Sequence, residues 1–114
     1  MKIRRAQLSD RGDIRSVLRD SLRADATDRA PVTGGVLETH YAPWRLNLRL
    51  ERADTVCVVA ERGGEVVGFA EGRVEGDTSR IEWLHVTPQY REEGVGSRMY
   101  EQLREELEAA ASDE

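Results

Sequence analysis

The alternation of apolar and polar residues along the chain predicts a strand, two helices, three strands and a final helix. The first strand lies within residues 1–7 and should form an edge of the sheet. Apolar residues then recur at helical spacing to about Arg23, and Ser9 stands where the N-cap of this first helix is expected. The final helix spans about Gly94 to Ala110 and should bury one stripe of residues four apart. That stripe consists of Val95, Met99, Leu103 and Leu107.

A second helix is predicted between Val36 and Arg52, and it begins or is interrupted near Pro43. A polar segment containing proline and a Gly-Gly pair precedes it and is expected to form a loop. Trp44 and Leu48 share one helical face, whereas Leu46 lies on another. We interpret Trp44 as a packing residue rather than a platform for a substrate.

Three β-rich segments occupy the middle of the chain: Thr55 to Glu61, Glu65 to Val74 and Arg80 to Val86. Glycine-containing turns separate them, Arg62-Gly63-Gly64 first and Glu75-Gly76-Asp77 second. Such turns join neighbouring antiparallel strands. The fold class predicted is α/β (α+β), with a mixed, mainly antiparallel sheet of about four strands flanked by helices.

Length, charge and residue composition exclude several classes of protein. The chain has 114 residues, of which 39% are hydrophobic and 34% charged, with a net charge of −5, so we expect one domain that does not bind nucleic acid. No apolar run is long enough for a membrane span or a signal peptide, which favours the cytoplasm. The single cysteine, Cys57, lies in an apolar run and should be a buried thiol. No His/Cys cluster has the spacing of a metal site.

Residues 81–97, IEWLHVTPQYREEGVGS, combine a strand, a proline, a glycine-containing loop and the start of a helix. Pro88 should end the strand because proline cannot donate to a sheet ladder. Gly94 and Gly96 allow close approach of the backbone, and the first amides of a helix have no intrahelical partner. This arrangement favours an anion such as a phosphate or pyrophosphate.

Other phosphate-binding loops fit this segment less well. A P-loop requires a Gly-Lys pair, and the only lysine is Lys2. The dinucleotide-binding fingerprint requires a small residue where Met99 stands, and glycines directly after a parallel strand. Here seven residues separate Val86 from Gly94. An ordinary glycine turn that caps the final helix remains the alternative interpretation.

The whole segment resembles motif A of the GCN5-related N-acetyltransferases, [Arg/Gln]-x-x-Gly-x-[Gly/Ala] shortly after a strand that ends in Val-x-Pro. Arg91, Gly94 and Gly96 fill the signature positions, and Leu84-His85-Val86 fills the strand end. The resemblance implies an acyl-CoA N-acyltransferase-like fold in one domain, residues 1–114. It also implies transfer of an acetyl group from acetyl-CoA to an amine of a small molecule or protein.

The resemblance further implies a cofactor-binding set. Backbone groups of Leu84 and Val86 would hold the pantetheine arm, amides of residues 91–97 would wrap the pyrophosphate, and Arg91 would add a charged phosphate contact. Glu92 and Glu93 depart from the usual pattern and are expected to be surface acids. The set is Leu84, His85, Val86, Arg91, Glu92, Glu93, Gly94, Val95, Gly96 and Ser97.

Glu82 is the candidate general base, since strand alternation places it in phase with Leu84 and Val86. A solvated strand glutamate is the competing interpretation of the same residue. His85 should face the opposite side and is interpreted as structural. His40 is a further candidate, for the acceptor pocket.

The resemblance covers the family's N-terminal part through motif A, so we expect a C-terminally short domain without the following strand. The strand of Arg80 to Val86 should then have an open edge, which predicts a homodimer through that edge. The tyrosine that usually serves the family as general acid has no counterpart. The alternatives are a non-catalytic CoA-binding or interaction module and a segment of a longer enzyme.

Overall fold

The computed structural model describes residues 1–25 and 41–112. Within them the strands are β1 (Lys2–Arg5), β2 (Thr55–Arg62), β3 (Glu65–Glu75) and β4 (Thr78–Val86). The helices are α1 (Arg11–Asp25), α2 (Pro43–Glu51) and α3 (Val95–Ser112), with 3-10 turns at Leu8–Asp10 and Pro88–Tyr90. The predicted order of elements is confirmed. No helix in these residues is long and apolar enough to cross a membrane.

The four strands form one sheet in the order β1-β2-β3-β4, and each of the three pairings is antiparallel. Both hairpin turns contain glycine at positive φ: 60° and 82° at Gly63 and Gly64, and 65° at Gly76. Residues with a Cβ atom rarely adopt such angles, so these glycines permit the tight reversals. The predicted meander and the predicted fold class are confirmed.

Helix α3 packs its predicted apolar stripe against one face of the sheet. All four stripe residues are buried, with at most 2% of their surface exposed: Val95, Met99, Leu103 and Leu107. The helix approaches β3 so closely that a Cβ atom at Gly72 would lie 2.6 Å from Leu107 Cδ1. At Gly68 it would lie 2.9 Å from Met99 Cε. Glycine at both positions therefore sets the distance between helix and sheet.

Helices α1 and α2 cover the opposite face. Their buried side chains form a second cluster with Tyr41, which precedes α2, and with strand residues: Ile14, Val17, Leu18, Tyr41, Leu46, Cys57, Val59 and Phe69. Cys57 is the buried thiol that the sequence predicted, and burial raises its pKa. The result is a three-layer arrangement, with the sheet between α3 on one side and α1 with α2 on the other.

The start of α1 differs from the prediction. Ser9 lies inside the 3-10 turn, and the α-helix begins two residues later, at Arg11. Asp10 makes the polar contacts here, because its Oδ2 accepts the Gln7 N–H at 2.7 Å. Its two carboxylate oxygens also accept two hydrogen bonds from the Arg4 guanidinium, at 2.8 and 2.9 Å. The polar contacts at this helix start are thus made by Asp10, in a partly buried ion pair with β1, rather than by a serine cap.

Helix α2 begins at Pro43, as expected, and its burial corrects one prediction. Leu46 is fully buried, whereas Trp44 is 60% exposed and Leu48 is 56% exposed. Trp44 is therefore not a packing residue, because the short helix buries its Leu46 side and leaves its Trp44 side exposed. The rest of the predicted second helix, with His40, lies outside the described residues.

Candidate functional site

The C-terminal end of β4 leads directly into the predicted phosphate loop. The Thr87 N–H donates to the Val67 carbonyl at 2.8 Å, which is the last ladder bond before Pro88. The chain then forms the 3-10 turn Pro88–Tyr90 and passes through residues 91–94 into α3. We call residues 91–97 the cradle loop. Its position immediately after the end of a strand agrees with the sequence prediction.

The cradle loop presents amides that have no acceptor within the helix. The first intrahelical bond of α3 runs from the Arg98 N–H to the Gly94 carbonyl, at 3.1 Å. The N–H groups of the three preceding residues, Val95, Gly96 and Ser97, therefore have no acceptor four residues back within the helix. These amides and the helix dipole together favour an anion at this point.

Two residues of the loop adopt positive φ angles. Gly94 has φ 81°, and Glu92 has φ 67°. The angle at Gly94 suits glycine, and a Cβ atom added there would meet no atom within 4 Å. Glu92 accepts a conformation that residues with side chains rarely adopt, and such strain is often found at functional loops. Together these angles turn the chain so that α3 begins beside β4.

The edge of β4 that faces away from β3 is open in the described part of the chain, since β4 is the last strand of the sheet. Along a strand in an antiparallel pair, the backbone N–H and C=O groups of alternate residues bond the partner strand, and those of the residues between them point away from it. Because Thr87 bonds Val67, the backbone groups of Leu84 and Val86 point toward the open edge. A Cβ atom at Gly96 would lie 3.5 Å from Leu84 Cδ2, so this edge adjoins the cradle loop.

The side chain of Arg91 is directed into the protein. Its Nη2 donates to Ser21 Oγ at 2.8 Å and to the Ser21 carbonyl at 3.2 Å. Its Nε lies 3.4 Å from the Val86 carbonyl, which it can also donate to. The sequence predicted a phosphate contact for this guanidinium. In the structure it binds protein groups and joins the loop to α1 and to β4, and the phosphate contact stays a prediction.

His85 also contacts Ser21. Its Nδ1 lies 2.9 Å from Ser21 Oγ, and its ring stacks on Phe69 with centroids 5.6 Å apart. This is the sheet face covered by α1, opposite to the face of Leu84, as alternation predicted. The ring is therefore a packing and hydrogen-bonding element behind the cradle loop.

The two glutamates of the loop lie at the surface, as predicted. Glu93 pairs with Arg62 of the β2–β3 hairpin, and the Arg62 guanidinium also lies 5.2 Å from the centroid of the Tyr90 ring. This contact places the Glu93 carboxylate against a positive charge on the hairpin. It reduces the repulsion that Glu93 would exert on an anion in the cradle loop.

Glu82 does not follow the alternation predicted for it, because the sheet is irregular at this residue. Trp83 pairs with Glu71, whereas the residue before Glu82 pairs with the next residue of β3. Glu82 is thus the extra residue of a β-bulge, and a bulge redirects its side chain. The prediction that it lies in phase with Leu84 and Val86 is wrong.

The bulge turns Glu82 toward an open cavity of about 430 Å³ between α2 and the sheet. Its Oε1 lies 3.5 Å from Arg80 Nε and 3.9 Å from Arg73 Nε, and 28% of its side chain is exposed. The cavity is lined by Trp44, Arg45, Leu48, Arg49, Arg52, Glu71, Arg73, Glu82 and Trp83. Among the described residues, no group of three His, Cys, Asp or Glu side chains could hold a metal ion.

Sequence reasoning missed Glu71, a second carboxylate on this cavity. It is 4% exposed, and its Oε2 lies 2.8 Å from Arg49 Nε. The Tyr41 hydroxyl donates to its Oε1 at 3.3 Å. Burial raises the pKa of Glu71, and the Arg49 charge and the Tyr41 hydrogen bond oppose that rise. The available signal was a single acid inside the apolar run of β3.

The family model described as "Acetyltransferase (GNAT) family" matches residues 17–112. The crystal structure of PaiA N-acetyltransferase from Thermoplasma acidophilum in complex with coenzyme A is 16% identical, with a TM-score of 0.84 over 95% of this chain. A GNAT family acetyltransferase from Brucella melitensis in complex with acetyl-CoA is 21% identical, with a TM-score of 0.72 over 96% of this chain.

A third similar structure is an aminoglycoside 6'-N-acetyltransferase complexed with coenzyme A, 17% identical, with a TM-score of 0.71 over 96% of this chain. The present chain is shorter than all three. It spans 72% of the Thermoplasma protein, 69% of the Brucella protein and 57% of the aminoglycoside enzyme. At sequence identities of 16–21%, the structural similarity shows that the fold is shared.

Proposed function

Because the chain belongs to the GNAT family of acetyltransferases, we propose that it transfers an acetyl group from acetyl-CoA to an amine of a small molecule or protein. One observation carries the proposal most directly. The amides of Val95, Gly96 and Ser97, which have no acceptor within α3, lie beside the edge of β4 that is open in the described residues, where backbone groups of Leu84 and Val86 point outward.

In the proposed complex, the two features bind different parts of the cofactor. The cradle-loop amides hold the pyrophosphate, as anions are held at helix N-termini generally. The pantetheine arm, which contains amide groups, pairs with the β4 edge as an additional strand would. This places the thioester near the bulge at Glu82, next to the cavity. Holding thioester and amine together would supply a large part of the catalysis.

Glu82 is the proposed general base. It borders both the cavity and the strand segment assigned to pantetheine, and its side chain is partly accessible. It would take a proton from the acceptor ammonium, so that the neutral nitrogen attacks the thioester carbonyl. The new C–N bond forms as the C–S bond breaks, and the nitrogen releases its second proton to solvent as the amide forms. The thiolate leaves with the electron pair and takes a proton from solvent.

We also propose that two copies of this 114-residue chain associate through β4. No strand of the described residues pairs with its outer edge, and such edges pair readily with another strand. Pairing along Leu84 and Val86 would compete with pantetheine, so the contact is assigned to the part of β4 that precedes the bulge, residues 78–81. Sedimentation at rising protein concentration should show dimer formation that saturating CoA does not prevent. A monomer at every concentration would refute this part.

The decisive experiment is calorimetric titration of CoA into wild type and into Gly96→Glu. A glutamate at this position would place a carboxylate between the cradle amides and β4, where a Cβ atom already lies 3.8 Å from Val86 Cγ2. Gly12→Glu is the matched control. It makes the same change in the first turn of α1, where an added Cβ atom meets nothing within 4 Å.

We expect wild type and Gly12→Glu to bind CoA alike and Gly96→Glu to lose binding while its circular dichroism is retained. Equal binding by a folded Gly96→Glu protein would mean that the loop is only a helix-capping turn. Binding by wild type without acetylation of any amine tested would favour the alternative function, a non-catalytic CoA-binding or interaction module.

A further inference from the structure

The cavity beside Glu82 has an excess of positive charge. Four guanidinium groups line it but only two carboxylates, and all six belong to described residues. Both carboxylates already have arginine partners. Glu71 pairs with Arg49 at 2.8 Å, and Glu82 lies 3.5 Å from Arg80. The internal pairing of these acids leaves the positive charge of the cavity only partly compensated.

The remaining arginines differ in how firmly they are held. Arg52 forms a two-point contact with Asp54, at 2.9 and 3.0 Å. Arg73 is held less firmly, by a long contact with Glu82 in which the charged atoms are 3.9 Å apart. Arg45 makes no ion pair with a carboxylate of residues 1–25 or 41–112. Its guanidinium lies 4.8 Å from the centroid of the Trp44 ring.

The walls near these arginines are apolar. Trp44 and Leu48 are one helical turn apart on α2, and both expose more than half of their surface. Trp83 lies across from them on β4 and also lines the cavity. The volume of about 430 Å³ is in the range of pockets that hold small molecules rather than protein segments.

We propose that the cavity binds a small acceptor amine that also carries an anionic group, recognised by Arg45 and Arg73. The planar guanidinium suits carboxylate and phosphate groups, and stacking on an indole ring holds it in place. The apolar part of the acceptor would lie against Trp44 and Leu48, with its amine toward Glu82. This inference rests on the proposed acetyl transfer, because it treats the cavity as the acceptor site.

The test uses the fluorescence of Trp44 and Trp83, the two tryptophans of the chain, both of which line the cavity. Three probes share one (aminomethyl)phenyl scaffold: para-(aminomethyl)benzoate, the corresponding phosphonate and para-(aminomethyl)benzamide, whose para group is uncharged. Each is titrated into wild type, Arg45→Gln and Arg104→Gln, with and without CoA. Arg104 is the matched control, since it loses the same charge from α3, where it pairs with Glu101 and Glu108.

We expect at least one anionic probe to bind about tenfold more tightly than the amide, as one charge-assisted contact would provide. Added salt should weaken that preference. Arg45→Gln should reduce it to about threefold or less, and Arg104→Gln should leave it unchanged. The stronger of the two anions identifies the group that the cavity recognises.

Equal or tighter binding of the amide, an unchanged preference in Arg45→Gln, or no fluorescence response to any probe would overturn the inference. The result of this fluorescence titration can be distinguished from the result of the CoA titration that tests the proposed function. Fluorescence reports on the cavity even if calorimetry detects no CoA binding, and CoA binding with no preference among the probes would refute only the acceptor class.

Discussion

Arg91 Nη2 donates a hydrogen bond of 2.8 Å to Ser21 Oγ, which joins the cradle loop to helix α1 across the end of the sheet. Ser21 is only 2% exposed, so this contact is shielded from water. The same hydroxyl lies 2.9 Å from His85 Nδ1. One buried serine therefore contacts both the strand and the loop that we assign to the cofactor.

Ser21→Ala should lower both stability and CoA affinity. We expect a loss of about 1–2 kcal/mol in the free energy of unfolding, because Arg91 and His85 lose a shared buried partner. CoA affinity should fall because the loop is less firmly held. Urea denaturation and calorimetry are the measurements, with the exposed Ser79→Ala as control. If Arg91 acts by contacting phosphate directly, Ser21→Ala should leave CoA affinity unchanged or increase it.

Alanine substitutions at the two cradle glycines should have opposite effects on stability. Gly94→Ala places a Cβ atom on a residue at φ 81° and should cost roughly 1–2 kcal/mol. Gly96→Ala adds a Cβ atom in ordinary contact with Leu84, within a helix that favours alanine. Its stability should equal or exceed that of wild type. Equal destabilisation of both variants in urea would contradict this distinction.

Asp10 should make the free energy of unfolding depend on pH under acidic conditions. Hydrogen bonds from Arg4 hold the pKa of Asp10 below its ordinary value of 3.8 in the folded protein. The stabilisation is therefore present above that value and is lost as the pH falls through the lower, folded-state pKa. Asp10→Asn should cost about 2 kcal/mol at neutral pH, since it weakens charge-assisted bonds.

The difference in unfolding free energy between wild type and Asp10→Asn should then narrow as the pH falls below 3.8. Chemical denaturation at a series of pH values measures it. Asp77→Asn, in an exposed turn, serves as the control and should show a small, nearly constant difference. A difference that is constant or widens toward acid for Asp10→Asn would mean that the ion pair is not the cause.

Glu82→Gln should separate binding from chemistry. We expect acetyl transfer to fall by about a hundredfold or more, which is typical for loss of a general base, while CoA affinity is retained. Steady-state kinetics and calorimetry on the same preparations test this. Glu75→Gln removes the other carboxylate near Arg80 and is a suitable control. Full activity in Glu82→Gln would support the interpretation of Glu82 as a solvated strand residue.

Several features were predictable because they depend on neighbouring residues. Glycine turns specify the two hairpins, the four-residue spacing specifies the buried stripe of α3, and Pro88 ends β4. The cradle loop was recognisable for the same reason. Its glycines, and the start of the helix they precede, lie within a few residues of one another.

The sequence by itself therefore determined the order of elements, the antiparallel meander and the position of the cradle loop. Only the tertiary structure decided the directions of the polar side chains. The bulge that redirects Glu82 depends on pairing with β3, and the inward turn of Arg91 depends on Ser21, seventy residues away. The burial of Glu71 and the exposure of Trp44 depend on how α2 packs on the sheet. Local spacing determines which elements form, whereas side-chain direction and burial depend on contacts between segments distant in the chain.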